Sequence, residues 1–191
     1  LEDHHARHIV LDPVMVATSG AKLIDDDAIT ALTERLFPLA EVITPNIPET
    51  EVLLDLIAHR GASLDPAKWA EDTDRESTRI VSDTAMEDAG RTVSEHYGCA
   101  VLVKGGHGVA DASDLLYADG VATWIHGVRV DNPNTHGTGC TLSSAIASNL
   151  AKGETLPDAI RHAKDYLTGA LGAQLNLGHG SGPMDHAWHW R

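Results

Sequence analysis

A glycine-rich turn directly precedes a helical pattern in the second half of the chain, in the sequence His136-Gly137-Thr138-Gly139-Cys140. Two glycines let the backbone approach a ligand, and the following helix would point unpaired N–H groups and its positive dipole end toward it. This arrangement predicts an anion site that could stabilise a phosphoryl group during transfer. A tight turn before a packed helix is the alternative, since the spacing matches neither common phosphate-loop pattern.

Cys140 is one of only two cysteines and falls in the first turn of this predicted helix. The positive helix end would favour a thiolate, which could act as a base or hydrogen-bond acceptor for a substrate hydroxyl. A small buried residue at a crowded helix start is the ordinary alternative, and it is the only interpretation that Cys99 supports. His136 could orient a phosphate or could simply be a turn residue.

Polar side chains also follow three apolar runs that read as strands, and they are Asp12, Asn46 with Glu49, and Lys104. Ligands of open α/β sheets bind beyond the carboxyl ends of the strands. We therefore expect two acids, one lysine and the glycine turn to converge on one crevice.

Each of these strand-end residues has two interpretations. Mg²⁺ keeps several waters and needs only one or two protein oxygens beside nucleotide phosphates, so Asn46 and Glu49 could provide its site. The same spacing fits a helix N-cap and its reciprocal partner. Lys104 could pair with a nucleotide phosphate or could be a solvated lysine at a strand end.

Alternating strand and helix patterns predict the fold class. Apolar runs at 8–11, 41–44 and 100–104 read as strands, and helical spacing follows residue 25 and covers about 82 to 97. A strand–helix–strand sequence usually places its two strands parallel in one sheet, so we predict an α/β fold with a mainly parallel sheet.

The later part of the chain predicts a hairpin and two helices. The runs DLLYADG and VATWIHGVRV meet at Asp119-Gly120, a strong turn signal, and predict an antiparallel edge. Two amphipathic helices follow, the second introduced by a capping box of Thr155 and Asp158.

Composition limits the partners. The chain has 191 residues, 42% of them hydrophobic, which suits one domain. A net charge of −14 makes nucleic acid or an anionic membrane an unlikely partner, and no apolar run reaches the roughly 18 to 20 residues that span a bilayer. Two cysteines form no disulfide framework, so we expect a cytoplasmic protein with reduced thiols. The polar segment at about 60–81 reads as a surface insertion.

Five segments occur in a familiar order: DPVM…SG, TPNIPE, VKGGH, NTHGTGCTLSSAIA and GHGSGP. The chain resembles the hydroxymethylpyrimidine and phosphomethylpyrimidine kinases of thiamine biosynthesis, within the ribokinase-like superfamily. The resemblance covers residues 8 to 190 apart from the insertion. Its most specific part is HGTGC, because related sugar kinases carry D-x-x-G-A-G-D there, and here Cys140 takes the place of the final aspartate.

The resemblance implies a three-layer α/β/α domain over 1–191 that phosphorylates a hydroxymethylpyrimidine and its monophosphate with ATP and Mg²⁺. It implies the following roles: Cys140 beside the acceptor hydroxymethyl group, the backbone of Gly137, Thr138 and Gly139 around the transferring group, Asn46 and Glu49 for magnesium, Lys104 and His136 on the nucleotide side, and Asp12 and Val14 in the pyrimidine pocket.

Family members begin with further strands that carry most polar contacts to the pyrimidine. We therefore expect this chain to be a fragment with an exposed sheet edge and half a substrate pocket. A homodimer and a fused upstream domain are further expectations. The alternatives are a pyridoxal kinase of the same superfamily, a non-catalytic nucleotide-binding module, and a thiol hydrolase that uses Cys140 and His136.

Overall fold

The computed structural model describes residues 1–16, 23–58, 78–105, 112–132, 137–175 and 182–190. Most of the predicted insertion at 60–81 lies outside the described residues, and so does His136. In the described ranges, no helix combines the length and apolar character needed to cross a bilayer.

Five strands form one mixed sheet in the spatial order β1-β2-β3-β4-β5. The strands are β1 (Val10–Leu11), β2 (Val42–Ile43), β3 (Ala100–Val103), β4 (Asp114–Ala118) and β5 (Val121–Ile125). The pairs β1/β2 and β2/β3 are parallel, whereas β3/β4 and β4/β5 are antiparallel. β5 therefore runs in the same direction as β1, β2 and β3, so four of the five strands share one direction. The antiparallel pair β4/β5 lies at one edge of the sheet, which confirms the predicted edge hairpin.

Four strands are shorter than the apolar runs predicted, β3 by one residue only. β1 starts two residues late because His8 has a φ of 57°, outside the extended region, and β2 ends one residue early, before Thr44 and Pro45, since proline has no N–H to donate to a ladder. The second hairpin strand ends at Ile125 rather than near residue 130, because its partner β4 begins opposite Ile125, at Asp114.

Helices connect and cover the sheet. They are α1 (Asp26–Ala31), which continues as a π-helical turn (Leu32–Leu36) and a 3₁₀ turn (Phe37–Leu39), then α2 (Ile47–Ala58), α3 (Asp83–Tyr97), α4 (Thr138–Ala151) and α5 (Leu156–Gly172). Short 3₁₀ turns lie at Glu2–His4 and Trp188–Trp190. Thr155 caps the start of α5 as predicted, because the Asp158 N–H donates to its hydroxyl, and this hydroxyl in turn donates to Asp158 Oδ2 at 2.7 Å rather than Asp158 binding the Thr155 N–H.

The sheet carries a hydrophobic core on each face, because neighbouring residues of a strand point to opposite sides. Ile43, Val101, Val103 and Leu115 pack with buried residues of α1, α2 and α3. Val42, Leu102 and Leu116 pack with α4 and α5 on the other face. The predicted three-layer α/β/α arrangement is thus confirmed.

A matched pair of valines tests this layering. Val103→Ala should lower the free energy of unfolding by about 2 kcal/mol, since Val103 is fully buried in the core and the loss leaves a cavity. Val121→Ala is the control, because Val121 is 59% exposed on β5 and should cost about 0.5 kcal/mol or less. Urea unfolding measures both; equal losses would contradict the assigned core.

Candidate active site

The carboxyl ends of β1, β2 and β3 bring the predicted polar residues to one edge of the sheet. Asn46 and Lys104 form a parallel bridge, in which the Lys104 N–H donates to the Pro45 carbonyl at 2.8 Å. Asp12 lies next to them at the end of β1. Residues that are 92 positions apart in the sequence are therefore in direct contact.

A partly buried ion pair occupies this edge. The Lys104 Nζ donates to Asp12 Oδ1 at 2.7 Å, and the Thr44 hydroxyl donates to the same oxygen at 3.2 Å. The Lys104 and Asp12 side chains are only 17% and 11% exposed. Lys104 is therefore held within the site, and the alternative of a solvated strand-end lysine is wrong.

Glu49 is held by backbone N–H groups at both carboxylate oxygens. The Met15 N–H donates to Oε1 at 2.9 Å and the Asn46 N–H donates to Oε2 at 2.8 Å. In return, the Glu49 N–H donates to Asn46 Oδ1 at 2.8 Å, which completes the capping box at the start of α2. This cap leaves the metal interpretation open, since a carboxylate oxygen has a second acceptor position.

The electrostatics at Glu49 favour an additional cation. Its side chain is 2% exposed, and this burial raises the pKa of Glu49; the Asn46 N–H, the Lys104 charge and the Met15 N–H oppose the rise, and the Asp12 charge adds to it. Two carboxylates thus share a single ammonium group. Within the described residues, no cluster of three or more His, Cys, Asp or Glu could hold a metal. Mg²⁺ fits such a sparse site, because it keeps its waters and uses phosphate oxygens.

The glycine turn meets the ion pair directly. Gly137 adopts a φ of 83°, a left-handed conformation that favours glycine, and α4 begins at the next residue. No side chain of the described residues caps this helix start. A Cβ on Gly139 would lie 2.8 Å from Asp12 Oδ2 and 3.4 Å from Lys104 Nζ. Only a residue without a side chain lets the amino end of α4 approach so closely.

Cys140 is exposed at this helix start, whereas Cys99 is buried. The ordinary alternative, a buried cysteine in a crowded turn, is therefore wrong for Cys140. It describes Cys99, where burial raises the pKa of the thiol to about 11. The Cys140 sulfur is accessible to a ligand that approaches the turn.

Val14 has an unusual backbone conformation two residues after Asp12. Its φ is 45° and it is 45% exposed. A β-branched residue with positive φ is a strained outlier, and such strain clusters at binding sites. The next residue, Met15, supplies the N–H that binds Glu49.

Two groups in the site were not predicted from the sequence, the Thr44 hydroxyl and the Met15 N–H. Thr44 ends the apolar run before Pro45, so the strand-end rule that selected Asn46 would have found it. No side-chain pattern could have indicated a backbone donor. Two surface cavities, of about 450 and 370 Å³, share Leu1, Glu2 and Leu39 and include none of the predicted site residues.

The chain is similar to known kinases. The family model described as phosphomethylpyrimidine kinase matches residues 1–72 and 70–185. A hydroxymethylpyrimidine/phosphomethylpyrimidine kinase of Haemophilus influenzae is 39% identical over 183 residues, which are 93% of this chain and 60% of that protein. The thiamine biosynthesis bifunctional protein ThiED of Geobacter sulfurreducens is 42% identical over 97% of this chain and 34% of its own length.

A solved structure is also similar. The ADP complex of Bacillus subtilis pyridoxal kinase has a TM-score of 0.75 and 28% identity, and the match covers 99% of this chain and 64% of that one. The chain thus spans less than two thirds of the length of each of these three proteins.

Two helical glycines test the contact between α4 and the ion pair. Gly139→Ala should lower the free energy of unfolding by about 1 kcal/mol, because the new methyl group displaces an Asp12 carboxylate that Lys104 and Thr44 hold. Gly172→Ala is the control, since its Cβ would meet nothing within 4 Å; it should raise stability by up to about 1 kcal/mol through helix propensity. Equal stabilisation of both variants in denaturant titrations would refute the close approach.

Proposed function

Because the chain belongs to the phosphomethylpyrimidine kinase family and has the ribokinase-like fold, we propose that the protein phosphorylates 4-amino-5-hydroxymethyl-2-methylpyrimidine with ATP, and then phosphorylates the monophosphate. The single observation that carries this proposal is the amino end of α4 lying against the Asp12–Lys104 pair. Backbone N–H groups and an ammonium group are there within reach of one anion.

The chemistry requires charge stabilisation more than covalent participation. The acceptor oxygen attacks the γ-phosphorus of ATP, the bond to the β,γ-bridging oxygen breaks, and the hydroxyl loses its proton. The N–H groups at residues 137 to 140 face the charge that the three outer phosphoryl oxygens carry. Lys104 adds a positive charge on the nucleotide side, and positioning of this kind supplies most of the catalysis in phosphoryl transfer.

Cys140 is the group that receives or orients the acceptor hydroxyl. Its support is its exposure and its position in the first turn of α4, beside Gly139. In this position the sulfur can accept a hydrogen bond from the acceptor alcohol, and as a thiolate it can take the proton that the alcohol loses. Asp12 and Val14 are proposed to face the pyrimidine ring.

Asn46 and Glu49 would hold Mg²⁺. The support is the excess of carboxylate over ammonium charge at this edge, together with side-chain oxygens that retain free acceptor positions. Bound there, the ion would neutralise the charge of the nucleotide phosphates. The protein oxygens keep their capping bonds in this scheme, which suits an ion that retains most of its waters.

A pyridoxal kinase is the second candidate, because the solved structure with 28% identity acts on pyridoxal by its name. The curated relatives at 39% and 42% identity favour the pyrimidine. Both substrates present a hydroxymethyl group on a heteroaromatic ring, so the phosphoryl site serves either. Specificity then depends on the ring pocket.

The choice of substrate is tested by steady-state kinetics on the full-length protein. We expect kcat/KM for the hydroxymethylpyrimidine to exceed that for pyridoxal by at least about tenfold, which corresponds to about 1.4 kcal/mol of differential transition-state binding. The reverse preference would assign the protein to the pyridoxal kinases. Failure to phosphorylate either alcohol would reject a kinase of this class.

Two cysteine variants test the acceptor side. Cys140→Ala should reduce kcat about 100-fold in the full-length protein, as expected for loss of an acid–base group. Cys99→Ala makes the same chemical change at the buried cysteine away from the site and should leave kcat near the wild-type value. Retention of activity within about threefold in Cys140→Ala would remove the thiol from the mechanism.

A further inference from the structure

A second buried ion pair, between Asp114 and Lys164, lies next to the site, and no sequence pattern predicted it. Lys164 of α5 donates to Asp114 Oδ2 of β4 at 2.5 Å, and the two side chains are only 11% and 6% exposed. These residues are 50 positions apart. Replacement of a buried ion pair by apolar residues is often neutral or stabilising, so stability alone does not account for the presence of this pair.

The pair holds the backbone immediately after Lys104. The Gly105 N–H donates to Asp114 Oδ1 at 2.9 Å, so the two carboxylate oxygens bind Gly105 and Lys164 respectively. Lys164 also donates to the Ala112 carbonyl at 2.7 Å. One ion pair therefore fixes the chain at residue 105 and again at residue 112.

Packing leaves this arrangement little freedom. A Cβ on Gly105 would lie 2.1 Å from the Ser113 carbonyl oxygen, so the backbone just after β3 lies directly against the residue before β4. A Cβ on Gly127 would lie 2.9 Å from Lys164 Cε, and the Gly127 carbonyl accepts from the Ala112 N–H at 3.3 Å. Because Gly105 and Gly127 have no side chains, the Asp114–Lys164 pair fits between the backbone segments that contain them.

The pair is also electrostatically linked to the site. Burial raises the pKa of Asp114, and the Lys164 charge and hydrogen bond, the Gly105 N–H and the Lys104 charge oppose the rise, in that order. The ammonium of Lys104 therefore interacts with a carboxylate on each side, through contact with Asp12 and over a longer distance with Asp114.

We propose that Asp114 and Lys164 are positioning residues for Lys104. By fixing the peptide at Gly105, they hold the Lys104 ammonium at the amino end of α4, where it meets the nucleotide phosphates. This inference rests on the proposed nucleotide-side role of Lys104. It adds two residues, from β4 and α5, that touch neither substrate.

A double-mutant cycle on the full-length protein tests the proposal, with binding of the ATP analogue AMP-PCP in the presence of Mg²⁺ measured by calorimetry. Lys164→Met should weaken binding about tenfold when Lys104 is present and less than about twofold in the Lys104→Ala background, because the effect passes through Lys104. Equal weakening in both backgrounds would overturn the proposal.

Arg161→Met is the matched control, since Arg161 forms an exposed ion pair with Asp158 one turn away on the same helix. It should leave binding unchanged in both backgrounds. If Lys164→Met does not fold, Asp114→Leu combined with Lys164→Met replaces it in the cycle, because apolar replacement of both members of a buried ion pair is often tolerated and this variant also removes the acceptor of the Gly105 N–H. The same coupling to Lys104 is expected, and additive losses would again overturn the proposal.

The assay separates this inference from the proposed function. Coupled AMP-PCP binding by a protein that phosphorylates no pyrimidine would refute the function and support the positioning role. Pyrimidine phosphorylation combined with additive losses in the cycle would support the proposed function and refute the positioning role.

Discussion

The contact between Lys104 and Asp12 is the interaction on which the candidate site depends. A lysine whose side chain is 17% exposed needs a counter-charge, and Asp12 supplies it from the neighbouring end of the sheet. In this position the ammonium lies against Gly139, so its positive charge is fixed beside the start of α4. An anion that binds to the N–H groups of that turn therefore meets Lys104 without any rearrangement of the main chain.

The sheet explains why these groups meet. Two parallel ladders place the ends of β1, β2 and β3 side by side, and proline ends the first two strands at nearly the same level. The polar residues beyond them are held by protein groups rather than by solvent, since two backbone N–H groups bind Glu49 and the Lys104 and Thr44 side chains bind Asp12. In a chain with a net charge of −14, a local positive charge of this kind would be needed for the proposed binding of a phosphate.

Local patterns predicted the local features well. Strand-end position selected Asp12, Asn46 and Lys104, and cap spacing located the starts of α2 and α5, because these signals depend on neighbouring residues alone. The pairing of Lys104 with Asp12 and of Asp114 with Lys164 could not be predicted, since each joins residues at least 50 positions apart. The length of β5 was overestimated for a related reason, because β5 ends opposite the first residue of β4, and the partner's position is not a local property.

The first turn of α4 separates the two halves of the proposed reaction. Successive residues of a helix point about 100° apart, so neighbours in sequence face different surroundings. Gly139 faces the Asp12–Lys104 pair, and Cys140 faces solvent. A phosphoryl group at the turn would therefore have the ammonium on one side and the thiol on the other. In the proposed reaction the nucleotide would lie beside Lys104 and the alcohol beside Cys140, and position 139 must be glycine because a side chain there would displace Asp12.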